Sequence, residues 1–544
     1  MKRYKLTNSI RKAVTYTVAF LFFALTACTD KFDEYNTNPN GVSDLGKDNL
    51  EYGFFSAMQL QVFPIGDDSN PYQRMCNLIG DIYSCYLTGT HSWNGDNNGM
   101  TYVPYEDWIR VPYEVAFSRF MPNYYKIVAL ARKDNKPDAL ALAQILKVFA
   151  MHRITDMYGP IPYSRLGGES KATPYDSQET IYKTFFKELE EAVTELNEFV
   201  ESYGASMKPY KNFDLIYGGD YVKWIRFANT LRLRLAMRIR YADPVTAKKL
   251  AEDAIKAPYG VITENADNAL LKTTGSTIIN HPLKMIWDDY QDTRMSANME
   301  SFLVGYKDPR LPVYFQPATS TAANARQYMG VRSGAAYMRV LYNAYRAFSS
   351  PNVTVSTPVQ WMVAAESWFL RAEGALIGWD MSGTAENLYV EGIKKSFEQR
   401  GVSGADAYSQ NSTNKPAAVQ DIIYFGNSVS ASSGLVSTST VKWNAAASTE
   451  ESLERIITQK WLALFPDGQE AWSEFRRTAY PKLFPVATNN SGGAVNTLKQ
   501  IRRIPYPNEE YQNPTAGPEV TKAVAELLGG PDTGGTQLWW DKKK

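Results

Sequence analysis

The chain has 544 residues, 44% of them hydrophobic, and is therefore long enough to bury a large core. Its formal net charge is +1, and because all five charged residues before Cys28 are basic, a chain cleaved at that point carries −4. Neither value gives the strongly basic surface that nucleic-acid binding requires, so nucleic acid is excluded as a partner. The aromatic share of 13% suits a densely packed core or a surface that stacks on sugar rings.

The N-terminus has the parts of a bacterial export signal. Basic residues between Lys2 and Lys12 precede an apolar run from Ala13 to Ala24, which is shorter than the roughly 20 residues that cross a bilayer. The tetrapeptide Leu25-Thr-Ala-Cys28 resembles a lipobox, in which the cysteine thiol receives a lipid. We therefore predict a signal peptide over residues 1–27 and a lipidated Cys28, which anchors the protein without spanning the membrane.

Residues 28–44 are polar and rich in turn-forming residues, and we predict that they form an extended tether. The acidic residues Asp30, Asp33 and Glu34 resemble the signal that sends lipoproteins to the outer leaflet of the outer membrane. A cell-surface location is therefore predicted, with retention on the periplasmic side as the alternative. Residues 45–544 are predicted to form a single domain.

This domain is predicted to be mainly α-helical, because apolar residues recur at helical spacing through most of it. The predicted helices cover residues 72–87, 117–132, 139–157, 178–202, 221–241, 244–257, 359–378, 384–401 and 450–465. Three regions are predicted to be largely irregular. Residues 258–355 are rich in proline, residues 403–448 are rich in serine and asparagine, and the section after 465 is rich in loop-forming residues. Paired helices with short turns suggest a tetratricopeptide-like array, although no clean 34-residue repeat is visible.

Two further cysteines, Cys76 and Cys85, lie nine residues apart in the first predicted helix. Nine helical residues place them on opposite faces, about 13 Å apart along the axis. A disulfide requires Cα atoms within roughly 7 Å of each other. Two buried free thiols are therefore favoured over a bridge.

The sequence lacks the motifs of the common enzyme classes. His91, His152 and His281 lie far apart without metal-ligand neighbours, and no zinc-protease, serine-hydrolase or phosphate-loop motif is present. The glycine-rich segment Gly529–Gly535 lacks the lysine of a phosphate loop and is predicted to be a turn. We predict a protein that is not an enzyme. A glycosidase remains the alternative, since any two carboxylates can converge in space.

The segment after Cys85 is the best candidate for a binding loop. It is polar, is interrupted by glycine and places an aromatic ring among amide and carboxylate side chains, a combination that suits sugar rings and also peptides. The predicted ligand-binding residues are His91, Trp93, Asn94, Asp96, Asn98 and Tyr102. The alternative is that Trp93 is a packed anchor of the loop, and Tyr105 and Trp108 are predicted to belong to the core.

Asp96-Asn-Asn-Gly99 supplies hard oxygen ligands but lacks the spacing and the bidentate glutamate of an EF-hand. No cofactor is predicted, and calcium at this segment is the one alternative.

Charged and aromatic residues elsewhere have structural interpretations. Arg232, Arg234, Arg238 and Arg240 scatter around several faces of one predicted helix, so ion pairs with neighbouring helices are favoured over contact with an acidic partner. Trp539-Trp-Asp541 is predicted to be a packing latch at the C-terminus.

Short motifs extend from the lipobox to the C-terminus. They are Asn36-Thr-Asn-Pro-Asn40 after Cys28, Asp156-Met-Tyr-Gly-Pro-Ile-Pro-Tyr163, Trp224 with Phe227–Arg238, Asp308-Pro-Arg310, Glu366 with Arg371-Ala-Glu373, Gln459–Phe465 with Glu470-Ala-Trp472, Phe475-Arg-Arg-Thr478, and Arg502-Arg503 with Tyr506-Pro507. In this order they resemble the SusD/RagB family of nutrient-binding outer-membrane lipoproteins, in the branch distinct from the starch-binding prototype.

The resemblance implies four tetratricopeptide-like helix pairs packed against a loop-rich irregular half. It also implies a lid that closes over a SusC-like TonB-dependent barrel and delivers captured oligomers to it. The expected function is therefore a surface lipoprotein that binds oligosaccharides or oligopeptides, and the sequence leaves these two ligand classes open. The alternatives are a lipid-anchored helical glycosidase, or a structural lid or adhesin without a ligand of its own.

Overall fold

The computed structural model describes residues 53–167, 172–274, 277–335 and 343–543. The signal peptide, Cys28 and the tether lie outside the described residues, so those assignments stay predictions. The α-helices are α1 (Gly53–Val62), α2 (Asn70–Tyr72), α3 (Glu106–Ile109), α4 (Val111–Glu114), α5 (Met121–Lys133), α6 (Pro137–Tyr158), α7 (Gln178–Tyr203), α8 (Tyr221–Arg238), α9 (Pro244–Lys256), α10 (Pro282–Lys284), α11 (Ala297–Gly305), α12 (Leu311–Tyr314), α13 (Ala364–Leu376), α14 (Ala385–Gln399), α15 (Ala405–Ser409), α16 (Thr449–Leu464), α17 (Gly468–Thr478), α18 (Asn508–Gln512) and α19 (Gly517–Glu526).

Wider π-helical turns and short strands complete the regular structure. The π-helical segments are Gln73–Asp81, Val115–Phe120 and Met285–Asp289. The strands are β1 (Leu87–Gly89), β2 (Ile161–Pro162), β3 (Tyr175–Asp176), β4 (Ala269–Leu271), β5 (Thr293–Met295) and β6 (Val359–Met362). The strands pair antiparallel as β1 with β5, β2 with β3 and β4 with β6.

Several long helices begin where the sequence supplies a capping side chain. The Ser177 hydroxyl accepts the N–H of Thr180 at the start of α7. Asp243 caps α9 ahead of Pro244, as the sequence predicts. At α16, Ser448 and Glu451 form a reciprocal capping box. Local sequence is therefore sufficient to fix these helix starts.

The helices pack as consecutive pairs, α5 with α6, α7 with α8, α13 with α14 and α16 with α17. Helix α8 also contacts α9 and α13, and α13 contacts α16, so the pairs form one array. This confirms the predicted mainly α fold with tetratricopeptide-like helix pairs. The region 403–448 is largely loop, as predicted, with α15 and two short 3₁₀ turns in it.

Two predicted helix boundaries are wrong because distant strands intervene. Residues 359–362 form β6, which pairs with β4 about ninety positions earlier, and the helix begins only at Ala364. Similarly, the first predicted helix does not continue to Leu87, since that residue opens β1 and pairs with Met295. The two thiols near this helix, Cys76 and Cys85, are buried and unbridged, which confirms the prediction.

Helix α17 is absent from the sequence-based prediction, which assigns loops after residue 465. All eleven of its residues are buried, including Glu470, Glu474, Arg476 and Arg477. Its apolar residues at helical spacing are only Ala471, Trp472 and Phe475, and its many polar side chains are those expected of a surface loop, so the helix was not predicted from this short apolar stripe.

Buried ion pairs join α17 to the other helices. Arg238 on α8 donates to Glu470 (2.6 Å) and Glu474 (2.7 Å), and Arg234 donates to Glu366 on α13 (2.7 and 2.6 Å). Burial by itself would raise the pKa of Glu474, but the neighbouring cations, Arg477 first, hold it well below its ordinary value. Arg240 pairs with Glu373 on α13 (2.8 Å). The prediction of structural ion pairs for this arginine series is thus confirmed for Arg234, Arg238 and Arg240.

The C-terminus closes onto the same helices. Trp540 is fully buried, and its indole N–H donates to Asp156 Oδ1 on α6 (2.8 Å). Asp541 forms a two-point ion pair with Arg502 (2.7 and 2.6 Å). This confirms the predicted latch. The glycine-rich segment Gly529–Gly535 consists of bends and turns, as expected.

Candidate functional site

The predicted binding loop is held against a second, distant segment of the chain. Strand β1 ends at Gly89, and pairing with β5 brings residues 90–102 beside residues 290–292. The Thr90 N–H donates to the carbonyl of Asp292 (3.1 Å), and its hydroxyl donates to the carbonyl of Gln291 (2.8 Å). The site is therefore built from two segments about two hundred residues apart.

Four aromatic rings of the loop and of α3 meet edge to face. The ring centroids are 4.8 Å apart for His91 and Trp93, 5.6 Å for Trp93 and Trp108, and 5.2 Å for Tyr105 and Trp108. Trp93, Tyr105 and Trp108 are half-buried, so the cluster is open to solvent on part of its surface. The assignment of Tyr105 and Trp108 to the core is therefore wrong, because α3 places them beside Trp93.

Two of the predicted ligand-binding residues shape the loop from inside. Asn98 is 1% exposed; its Oδ1 accepts the N–H of Met100 (2.9 Å), and its Nδ2 donates to the carbonyl of Trp93 (2.8 Å). Tyr102 is 3% exposed and donates its hydroxyl to Gln500 Oε1 (3.4 Å). Both polar groups are thus used inside the protein: Asn98 fixes the backbone at Trp93, and Tyr102 connects the loop to the segment that contains Gln500.

The other predicted residues differ in exposure. Asn94 is exposed, with its amide donating to the carbonyl of Asn97 (3.0 Å). The backbone of Asp96 ends a short 3₁₀ turn, and its side chain lies outside what the structure describes. Calcium at residues 96–99 stays a prediction.

His91 lies at the bottom of the loop. Its side chain contacts the hydroxyl of Thr90 (3.0 Å), and Nε2 is 4.0 Å from Asp292 Oδ1. Burial, together with the positive charge of Arg346, lowers the pKa of His91 to about 4. The ring is therefore neutral at neutral pH and acts as a spacer and hydrogen-bonding group.

A cavity of about 500 Å³ lies on the other segment. Its lining includes Trp287, Gln291, Arg294, Gln316, Asn343 and Arg346. The indole N–H of Trp287 donates to the carbonyl of Val353 (2.8 Å), which fixes its ring. Arg294 is fixed by the carbonyls of Trp287 (2.9 Å) and Arg346 (2.9 Å). Burial, then the charge of Arg346, lowers the pKa of Arg294 to about 10, so it remains cationic.

This cavity was not predicted from the sequence, because its residues fall inside the stretch predicted to be largely irregular. A signal was nevertheless present in Trp287-Asp-Asp-Tyr-Gln291, where two aromatic rings stand next to hydrogen-bonding side chains. That is the same combination that marks the Trp93 loop. Together the loop and the cavity offer stacking faces, amides and guanidinium donors, the groups that bind polar oligomers. Among the described residues, no three His, Cys, Asp or Glu side chains are grouped so as to hold a metal.

A helical-repeat scaffold that carries such loops defines a class of ligand-binding proteins. The sequence model of the SusD-like family, described as SusD and RagB outer membrane lipoproteins, matches residues 34–541. The chain therefore belongs to the SusD-like family. Within the described part of the chain, no helix has both the length and the apolar character needed to cross a bilayer.

Solved structures agree with this assignment. A chitin-binding SusD homologue from Flavobacterium johnsoniae is 40% identical, with a TM-score of 0.84 over 91% of this chain and 99% of its own. A SusD homologue from Bacteroides uniformis is 38% identical (TM-score 0.82, 90% and 100% covered). Another from Bacteroides vulgatus is 35% identical (TM-score 0.83, 90% and 97% covered). None of the curated proteins compared matches the chain.

Proposed function

We propose that this protein is a surface lipoprotein that binds oligosaccharides of the chitin type. The observation that carries the proposal is the half-buried cluster of Trp93, Tyr105 and Trp108. Its loop is hydrogen-bonded at Thr90 to Gln291, which lines the cavity together with Trp287 and Arg346. The apolar face of a sugar ring stacks on an aromatic ring, while amide and guanidinium groups bind its hydroxyl and acetamido oxygens. The homologue from Flavobacterium johnsoniae is a chitin-binding protein, which supports the choice of ligand.

The proposed activity is binding without catalysis, at the cell surface. Lipidation of Cys28 would anchor the chain to the outer membrane, in keeping with the description of its family. The protein would then deliver its ligand to a SusC-like TonB-dependent barrel. Affinity purification from detergent-solubilised outer membranes tests this step, and recovery of the lipoprotein without a barrel would remove the delivery role.

Isothermal titration calorimetry tests the ligand class. We expect chitin oligosaccharides to bind, and cello-oligosaccharides, which lack the acetamido group, to bind more weakly. Short peptides of mixed sequence serve as the second comparison. Binding of peptides but not of chitin oligosaccharides would replace the glycan with a peptide ligand, and release of shorter sugars during incubation would indicate a glycosidase.

A glycine before the loop gives a prediction about the position of Trp93. A Cβ atom at Gly89 would lie 2.7 and 2.8 Å from ring atoms of Trp93 and 2.8 Å from Met100 Sδ. Because contacts this short force the ring to move, we expect Gly89→Ala to weaken glycan binding by about tenfold, ~1.4 kcal/mol. Calorimetry measures this change. The control is Gly66→Ala, at an exposed position outside the loop where a Cβ meets nothing within 4 Å and the backbone is not left-handed. Equal affinity of Gly89→Ala and the unmodified protein would contradict the assigned role of Trp93.

The pKa of His91 gives a prediction about pH. The folded-state pKa of about 4 lies below the ordinary histidine value near 6.5. The neutral His91 ring therefore contributes its full share to the free energy of unfolding when the pH is above the ordinary histidine pKa. This contribution is lost as the pH falls toward the folded-state pKa of about 4. We expect glycan affinity to be constant between about pH 8 and pH 5, since the ring stays neutral there. If glycan affinity instead changes at about pH 6.5, and this change disappears in His91→Asn, the ring has an ordinary pKa.

A further inference from the structure

A second, larger groove lies away from the Trp93 loop and has a different chemistry. Its volume is about 970 Å³, and α17 and the C-terminal latch form part of its lining. Cationic side chains dominate the lining, which contains Arg476, Lys482, Lys499, Arg502, Lys542 and Lys543 but only two acidic residues, Glu450 and Asp541. We call this feature the basic groove.

Both acidic residues are already neutralised. Asp541 pairs with Arg502 (2.6 Å), and Glu450 pairs with Lys543 (2.6 Å). Lys482, Lys499 and Lys542 are exposed, and no described carboxylate forms an ion pair with any of the three. The groove therefore carries an excess of positive charge, although a chain cleaved at Cys28 is acidic overall.

The floor of the groove also contains an unpaired cation. Arg476 is 1% exposed, and its guanidinium donates to the carbonyls of Asp156 (2.6 Å) and Arg502 (2.8 Å) and to the hydroxyl of Ser473 (2.8 Å). Among the described carboxylates, none lies within ion-pair distance of it. Burial lowers the pKa of Arg476 to about 9. Asp156 and Asp541 offset part of this charge, but the direct hydrogen-bond partners of the guanidinium are uncharged oxygens, so Arg476 adds to the positive charge of the groove.

Apolar side chains separate these cations. Leu435, Phe475, Leu483, Pro485 and Leu498 line the groove, and Leu498 is 73% exposed. The aromatic rings and the amide of the lining are not free to bind a sugar, because Phe475 is 5% exposed, Lys543 Nζ lies over the ring of Tyr480 (4.5 Å) and the Gln537 amide donates to the carbonyl of Asp541 (3.2 Å). What the groove offers instead is apolar side chains with amines between them. They do match a polypeptide that presents carboxylates next to apolar side chains.

We propose that the basic groove binds an acidic, apolar-containing segment of a partner protein. Its cationic rim attracts and orients the carboxylates, and the apolar side chains of the groove cover those of the segment. This site is separate from the glycan site and does not depend on the proposed ligand.

The basic groove is linked to the Trp93 loop through the backbone. Leu498 and Lys499 line the groove, and the next residue, Gln500, accepts the hydroxyl of Tyr102. The N–H of Asn490 donates to the carbonyl of Thr101 in the loop (2.9 Å). The segment that contains Leu498 and Lys499 therefore contacts both the basic groove and the Trp93 loop.

Selection from a random short-peptide library on the full chain tests the proposal. We expect the enriched peptides to contain carboxylates adjacent to apolar residues, and their affinity, measured by fluorescence anisotropy, to fall as the ionic strength rises. The triple variant Lys482→Gln/Lys499→Gln/Lys542→Gln is expected to bind the selected peptide about tenfold more weakly, at a few tenths of a kcal/mol for each exposed charge.

A matched variant separates a local effect from a change of net charge. Lys211, Lys442 and Lys522 are also exposed and lie outside the groove, so Lys211→Gln/Lys442→Gln/Lys522→Gln should leave peptide affinity unchanged. Both triple variants should bind chitin oligosaccharides as the unmodified protein does. Three results would each overturn the proposal. The enriched peptides could lack carboxylates, the two triple variants could lose equal peptide affinity, or polygalacturonate at equal charge concentration could displace the peptide.

Discussion

Replacing Arg238 with methionine is expected to destabilise the protein more than any other single change considered. The side chain is fully buried, donates to Glu470 and Glu474, and its Nε lies 3.3 Å from Asp156 Oδ2. Methionine has a similar volume but no charge, so three buried carboxylates would lose their common cation. We expect the free energy of unfolding to fall by about 3–5 kcal/mol. Chemical denaturation followed by circular dichroism measures this loss.

Two control variants make the result specific. Arg119 forms a solvent-exposed pair with Glu114 (2.6 Å), and Arg119→Met should change stability by less than about 1 kcal/mol. Arg238→Lys keeps the charge but loses the planar fork, so it should recover part of the loss. If Arg238→Met and Arg119→Met have equal effects, the ion pairs do not stabilise the contact between α8 and α17.

The same ion pairs give the direction of the pH effect. Burial opposes ionisation of Glu373, Glu470 and Glu474, yet the neighbouring arginines lower the pKa of each. Carboxylates with a lowered folded-state pKa contribute stability that is complete above their unfolded pKa and is lost as the pH falls below it. The free energy of unfolding should therefore begin to fall when the pH drops below the ordinary glutamate pKa. This fall in stability should be smaller in Glu474→Gln, and chemical denaturation at a series of pH values measures it.

The second large effect is expected at Trp93. Trp93→Ala removes the ring that contacts both His91 and Trp108, and so the main stacking face of the proposed site. We expect affinity for chitin oligosaccharides to fall by about 30-fold, ~2 kcal/mol, as is usual for a central aromatic contact. Trp287→Ala should also weaken binding, through the cavity on the second segment.

Thermal unfolding of the same variants distinguishes ligand contact from loop anchoring. If Trp93 contacts the ligand, Trp93→Ala lowers the affinity with little change in melting temperature. If Trp93 only anchors its loop, the affinity falls only together with the melting temperature. The half-buried Trp443, which packs on Tyr389 of the scaffold (5.5 Å), provides the matched control. Retention of full affinity in Trp93→Ala, with loss in Trp443→Ala, would place the glycan elsewhere.

The candidate site was predictable only in part. The Trp93 loop is visible in the sequence because an aromatic ring, amides and glycines are contiguous there. That Asn98 and Tyr102 point inward is not visible, since their partners are determined by the fold: Asn98 caps a 3₁₀ turn, and Tyr102 reaches Gln500 nearly four hundred residues later. Trp287 and Arg346 lie nearly sixty residues apart and share a cavity only after folding.

The sequence by itself determined the elements whose signals are local. Apolar spacing and capping residues such as Ser177, Asp243 and Ser448 define where long helices begin, because a helix cap involves residues only three positions apart. The tertiary structure alone decided the rest. The sequence does not show whether a glutamate on α17 faces water or is buried against Arg238. Val359–Met362 forms a strand only because β4 lies beside it. The spacing of apolar and polar residues along the sequence cannot encode pairing between distant segments, whether of charges in the core or of strands at its edge.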